Sequence, residues 1–259
     1  MELKKVVKVM NFQTLLKING AIEKAEQYQN VGKEITEIIR SIQYNKNLML
    51  DKKVLMPDKD KPKLNIYIAN DYGFCGNFNA AVRHQIKRDK DDYKIIIGKK
   101  ISYRDEKTLL KINKDDFQKE MGEIEKTIDK ALENLSYSEI NLYYNHYYSY
   151  SKFGFLKLQL FPVKSDGKYF EGDDYVYETD AVKMIRGLLS FYICYQLKMA
   201  ESISVASENV LRNQITSMAL DRIDEQELIK INKIRKYRLQ KTVRKNVDNY
   251  KRLMEDYNG

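Results

Sequence analysis

The sequence predicts an α/β protein in which a central Rossmann-like domain with a mostly parallel sheet sits between two long terminal helices paired as an antiparallel coiled coil. Two observations carry this expectation. Prolines occur only at Pro57, Pro62 and Pro162, so both arms of the chain lack the strongest helix breaker. Apolar residues in those arms recur at spacings of three and four, whereas between the arms they gather into short β-branched and aromatic runs that alternate with helical segments.

In the N-terminal arm Ile18, Ile22, Ala25, Tyr28, Gly32, Ile35, Ile39 and Ile42 form one stripe, with Glu23, Lys24, Glu34 and Glu37 on the opposite face. One helix should therefore run from near the N-terminus to about residues 47–51. Between the arms, 64–69 (LNIYIA), 93–97 (YKIII), 139–144 (EINLYY) and 155–161 (FLKLQLF) read as strands, and 80–87 and 117–134 as helices. Strands and helices alternating at this length imply a mostly parallel sheet. From about residue 180 a second stripe, including Ile185, Leu189, Leu197, Ile203, Val210, Leu228, Val243 and Tyr250, continues to the end. A pattern so much longer than about 25 residues implies a coiled coil or two helices, with the break expected at 204–207 and Ser207 capping the new start. The expected boundaries are 1–55 for the first helix, 56–180 for the α/β domain and 181–259 for the C-terminal helices, the later part pairing with the first helix. Such a pair of arms, about 40 residues each, would make a rod on the order of 60 Å long.

Composition narrows the chemistry. The chain has 259 residues, 46 basic against 37 acidic, for a net charge of +9. No apolar run approaches the roughly 18 residues of a spanning helix, and the richest stretch, 188–197, is bracketed by Arg186 and Lys198. Lys8, Asn11, Gln13 and Lys17 interrupt the start of the chain, which argues against a secretory leader and for a cytoplasmic protein. Two cysteines (Cys75, Cys194) and two histidines (His84, His146) disfavour most zinc sites, Cys/His nucleophile pairs and Ser/His/Asp triads.

The sharpest local motif is Asp71-Tyr72-Gly73-Phe74-Cys75-Gly76-Asn77-Phe78-Asn79, between a predicted strand and a predicted helix. A glycine-bearing turn opening a helix is the arrangement that binds phosphate in nucleotide-binding folds, but neither G-x-G-x-x-G nor G-x-x-x-x-G-K-[ST] is present. Gly73 and Gly76 then read as tight turns, Asn79 as a helix cap and Cys75 as a small residue in a crowded turn. The alternative is a small α/β enzyme using Cys75 as a helix-activated thiolate. The acidic pairs Asp91/Asp92, Asp115/Asp116 and Asp173/Asp174 read as solvated loop charge. From Lys230 onward ten basic residues face three acidic ones, concentrated at Arg235, Lys236, Arg238, Lys241, Arg244 and Lys245. A helix of one sign is a recognition surface for an acidic partner or for phosphates, and the sparse aromatics (Tyr237, Tyr250, Tyr257) disfavour single-stranded nucleic acid. A basic coiled-coil nucleic-acid binder is the reading from a different class.

Six segments, in order, resemble the γ subunit, the central rotor shaft, of F-type rotary ATPases. Asp71, Gly73, Cys75, Gly76 and Asn79 match that family's D-R-G-L-C-G-x-x-N, with Tyr72 in place of arginine. Ile97-Gly98-Lys99 resembles its I-G-x-K, Tyr144-Asn145-His146-Tyr147 its Y-N-x-F, Leu160-Phe161-Pro162 its L-L-P, and Tyr175-Val176-Tyr177-Glu178 its Y-x-Y-E-P. Ala206-Ser207-Glu208-Asn209 with Arg212, Ala219 and Asp221 is similar to the A-S-E-x-x-x-R segment that opens the family's C-terminal helix, making Ser207, Glu208 and Arg212 the expected helix start. The matches cover about 64–229, and the arms match in shape only.

The resemblance implies a shaft with no catalytic residue, bound cofactor or metal of its own. ATP or ADP with Mg would sit in partner subunits. Its partners would be the α/β-type ring subunits, a small central-stalk subunit and a membrane rotor ring or a substitute attachment, with one copy per complex and no nucleic acid. It would work in the cytoplasm, at the periphery of the inner face of the membrane. The divergent arms leave open a related motor specialised for another task, such as gliding, and not coupled to protons.

Overall fold

The computed structural model describes residues 2–44, 57–73, 75–163 and 180–257. Helix α1 spans Glu2–Tyr44, and Ile18, Ala25, Ile35, Ile39 and Ile42 of the predicted stripe are buried. Its expected end near 47–51 lies outside the described residues. Five strands follow: β1 (Leu64–Ile68), β2 (Tyr93–Ile97), β3 (Thr108–Ile112), β4 (Ile140–Ser149) and β5 (Lys152–Phe161). Helix α2 (Ala80–Arg88) lies between β1 and β2, α3 (Phe117–Glu133) between β3 and β4, and α4 runs over Ala181–Tyr257.

The sheet order is β3-β2-β1-β4-β5. The first four strands are mutually parallel and β5 folds back antiparallel on β4 as a hairpin. Both faces of the central strands are covered, which is why β1 reads as a continuous apolar run instead of an alternating one. Leu64, Ile66 and Ile68 of β1, Ile95 and Ile97 of β2, and Ile140 and Leu142 of β4 share a core with α3, the later half of α1 and the start of α4. The intervening Tyr67, Ala69, Ile96 and Tyr143 pack with Val82 and Ile86 of α2 on the other face.

The structure adds β3, which the sequence reading did not resolve. Its Leu109 and Lys111 are exposed at the sheet edge, so it lacks the apolar density that marks β1 and β2. Gly98 ends β2 with φ +133°, and a Cβ there would stand 2.7 Å from Ala69 Cβ and 2.9 Å from its carbonyl carbon. Only glycine combines that backbone angle with so close an approach.

The expected helix break at 204–207 does not occur, because α4 is one helix of 77 residues. Nothing from Leu188 to Asn258 is glycine or proline. Ser207 caps no helix start; its hydroxyl donates to Ile203 O at 3.0 Å within the helix and to Asn145 O at 2.9 Å in β4. A run of small polar residues reads like a loop, yet here it lets α4 approach the sheet domain closely.

The chain divides into two compact units, 12–213 and the combination of 1–11 with 214–259. Within the larger unit α1 and α4 run antiparallel: Thr14 meets Asn213, Ile18 and Ala21 pack with Ala206 and Val210, and Tyr28 lies edge-on to Tyr195. Within the smaller unit the same sense holds, Asn11 donating to Thr216 and Ser217 and Lys4 pairing with Asp224 and Glu227. Among the described residues no helix is long and apolar enough to cross a membrane.

Candidate functional site

The segment after β1 is built by short-range hydrogen bonds. The Asn70 N–H donates to Asn79 Oδ1 at 3.1 Å, and Asn79 Nδ2 returns a bond to Asn70 Oδ1 at 2.6 Å. Asn79 occupies the N-cap position of α2 but makes no side-chain capping bond; its amide is used to close the turn. Gly76 has φ +44°, the left-handed conformation that favours glycine.

Asp71 then ties this turn to the ends of two neighbouring strands. Its carboxylate accepts the Lys99 N–H that follows Gly98, and the Lys114 and Asp115 N–H groups that follow β3, the last two at 2.8 and 3.4 Å. Tyr72, exposed, donates its hydroxyl to Asp115. The turn is therefore held from the carboxyl ends of β1, β2 and β3 together.

The other side of the turn meets α4. Cys75, buried, lies 3.7 Å from Glu208 Oε1 and 3.3 Å from an Arg212 guanidinium nitrogen. Arg212 donates to Glu208 Oε1 at 2.6 Å and reaches Gly73 O at 3.5 Å. Lys114 approaches Glu208 Oε2 at 3.5 Å. The Glu208 side chain is only 5% exposed, Lys114 7% and Arg212 13%. One carboxylate shared by two cations in a nearly dry site is stable only while all three are present. Asn145 of β4 completes the joint, donating to Phe78 O at 2.9 Å while its own carbonyl accepts Ser207.

Four of the family-like segments thus meet in one place: the 71–79 turn, Ile97-Gly98-Lys99, Asn145, and Ser207, Glu208 and Arg212. Together they bolt the sheet domain to the middle of the long helix. Leu160 and Phe161 lie elsewhere, in the core at the far end of β5 where Phe161 pairs with Ile140. Tyr175 to Glu178, and the acidic pair Asp173/Asp174, fall outside the described residues. Arg235, Lys236, Arg238, Lys241, Arg244 and Lys245 are all exposed on α4 in the smaller unit. Sequence reasoning missed Lys114 and Asn70, since a lone lysine after an unrecognised strand carries no signal of the carboxylate it will face.

The geometry does not suit Cys75 to nucleophilic work. Burial, joined by the nearby Glu208 carboxylate, pushes its thiol above the ordinary range against the opposing pull of Arg212. His84 is exposed on α2, and His146 faces the Tyr144 hydroxyl at 3.2 Å.

A family profile described as ATP synthase matches residues 1–239. An ATP synthase gamma chain of Rickettsia felis is 24% identical over 226 residues, spanning 80% of this chain and 77% of that one. A counterpart from Clostridium botulinum is 27% identical over 249 residues, spanning 87% and 85%. Among solved structures, the central stalk and c-ring structure of the Tetrahymena thermophila mitochondrial ATP synthase contains a chain of the same fold, with a TM-score of 0.59, 17% identity, and coverage of 83% of this chain and 99% of that one. The chain belongs to the ATP synthase γ-subunit family, the non-catalytic central-stalk subunit of that enzyme.

Proposed function

We propose that this chain is the rotating shaft that couples ATP chemistry in a ring of α/β-type subunits to motion of a base. The observation that carries the reading is the joint around Glu208. Torque generated along a helix is useful only if the helix cannot turn inside the domain that grips the base, and a buried carboxylate clamped by Lys114 and Arg212 opposes that slip. An asymmetric shaft favours different conformations of the ring subunits as it turns, which is what couples rotation to binding and hydrolysis.

In this reading Arg235, Lys236, Arg238, Lys241, Arg244 and Lys245 face acidic surfaces of the ring, where long-range attraction transmits force without a fixed lock. ATP or ADP with Mg is held by the ring subunits. The sheet domain grips a small stalk subunit and a membrane rotor ring or a substitute for it, one shaft per complex, at the membrane periphery. The test is reconstitution of the ring with and without this chain. ATPase activity should depend on its presence, and absence of binding to the ring would reject the reading. Neutralising the six arm residues to glutamine should slow association with the ring and flatten its salt dependence.

A second reading within the family, a motor dedicated to a task other than proton-coupled synthesis, is favoured by one observation. The end of α4 carries Tyr250-Lys251-Arg252-Leu253-Met254, in place of the small-residue apolar segment that the resemblance to the family leads one to expect there. Co-purification separates the two, since a synthase shaft brings a proton-channel ring and a dedicated motor brings other partners.

A further inference from the structure

The β4–β5 hairpin makes a contact that the Glu208 joint does not use. Its turn is only Tyr150 and Ser151, between the end of β4 and the start of β5, and it reaches α1. The Tyr150 hydroxyl donates to Asn19 Oδ1 at 2.5 Å. Just behind the turn, Tyr147 and Phe153 pair across the hairpin. Both pack against a cluster formed by Ile18 and Ala21 of α1 and Ala206 and Val210 of α4. Tyr147 also meets the Tyr150 ring edge-on, with centroids 6.2 Å apart, so the ring that carries the hydroxyl is itself supported.

The rest of the hairpin stiffens this tip. Residues two apart on a strand share a face, and Tyr148 lies beside His146 with ring centroids 4.8 Å apart, the Lys152 ammonium 5.7 Å from its ring. A Cβ on Gly154 would stand 3.3 Å from the Tyr148 ring, so the missing side chain gives that ring its room. Phe153 touches Phe78 of the 71–79 turn, with centroids 5.7 Å apart. Hairpin and turn therefore support each other.

Position decides what the contact does. Because Ile18 and Ala21 pack with Ala206 and Val210, Asn19 and Glu208 stand at one level of the α1–α4 pair. At that level the 71–79 turn holds α4 through Cys75 and Gly73, which meet Glu208 and Arg212, while the hairpin holds α1. The packing of α1 on the main core begins at Val31, about 18 Å along the helix from Asn19. A shaft gripped through α4 alone would pass force to this stretch of α1 only through helix-to-helix contacts, which here include the short side chains Ala21 and Ala206.

We propose that the β4–β5 hairpin is a second grip of the sheet domain, closing on α1 at the level of the Glu208 joint, with Tyr150 as its positioning residue. Both helices then follow the sheet domain as one rod and do not slide past each other. The part of this inference that concerns torque rests on the rotor reading above, whereas the grip itself does not.

The experiment has two arms, both with the full chain. In the first, amide exchange is followed in the free chain at 16–22 of α1 and 147–153 of the hairpin. Tyr150→Phe, which keeps the ring, and Asn19→Ala should each speed exchange there roughly twofold to tenfold, the range expected for one hydrogen bond, and leave 31–42 unaltered. The double variant should add nothing to either single one, because both remove the same contact. Asn19→Asp, which keeps an acceptor for the hydroxyl, should exchange at the native rate, and so should Tyr148→Phe. In the second arm the chain is assembled with the ring and carries a bead on the sheet domain. Tyr150→Phe should widen the angular fluctuations of the paused bead at an unchanged rate of ATP hydrolysis. Native exchange in both single variants overturns the grip, and faster exchange with unaltered fluctuations overturns its part in torque. A native chain that fails to turn in the ring rejects the rotor reading and the torque role with it, while faster exchange in the variants would still establish the grip.

Discussion

Replacing Glu208 by alanine is the perturbation that most directly tests the joint. In the native chain its carboxylate faces Arg212 at 2.6 Å and Lys114 at 3.5 Å, and all three side chains are at most 13% exposed. Removing the carboxylate leaves two cations in a site with little water. Breaking a buried ion pair in this way costs about 3–5 kcal/mol. The lower end applies, because Arg212 keeps its bonds to Asn209 and to Gly73 O. A loss of about 3 kcal/mol corresponds to roughly 6–12 °C in Tm for a unit of this size. Urea unfolding of the full chain, followed by circular dichroism at 222 nm because tryptophan is absent, measures it directly. Glu208→Leu combined with Lys114→Met should recover part of the loss, since one buried cation, Arg212, is then left without the carboxylate instead of two. A loss below about 1 kcal/mol in Glu208→Ala would refute the claim that this carboxylate holds the domain to the helix.

Three further outcomes follow. Gly98→Ala should cost about 2–4 kcal/mol in the same unfolding assay, since φ +133° disfavours any side chain and Ala69 stands 2.7 Å from the new Cβ. Asp105 has its pKa lowered to about 2: burial alone would raise it, but bonds from Thr108, Lys94 and Tyr103 outweigh that. A depressed carboxylate stabilises above its unfolded pKa and loses that contribution as pH falls through the folded value, so Asp105→Asn should cost about 1–2 kcal/mol at pH 7 and progressively less between pH 4 and about 2. Cys194, whose thiol burial pushes up to about 12, and Cys75 should both resist a thiol reagent at pH 7 in the native chain and react only on unfolding; fast labelling of Cys75 would contradict the structural role given to it.

The N-terminal helix and the first part of α4 were legible because burial there is periodic, whereas the later stripe residues Leu228, Val243 and Tyr250 of α4 are exposed. Ile18, Ala25, Ile35, Ile39 and Ile42 keep their spacing, and the structure buries them. β1 and β2 were legible because both faces of a central strand are covered, which leaves an unbroken apolar run. β3 was not, since an edge strand with Leu109 and Lys111 exposed looks like loop. Continuity of α4 through 204–207 was misread for a related reason: serines favour caps and turns when only local bonding is considered, and nothing local reveals that Ser207 bonds a strand 62 residues away. The joint itself was visible as separate motifs but not as one site. Cys75 and Glu208 lie 133 residues apart in the chain, and only the fold brings them together.

The central claim is that the chain turns as a shaft within a ring of ATP-hydrolysing subunits. A bead fixed to the sheet domain of the reconstituted, surface-held complex should rotate in one direction when ATP is added, and stop without it. A bead that stays still while the ring hydrolyses ATP at the same rate with and without this chain would contradict the account.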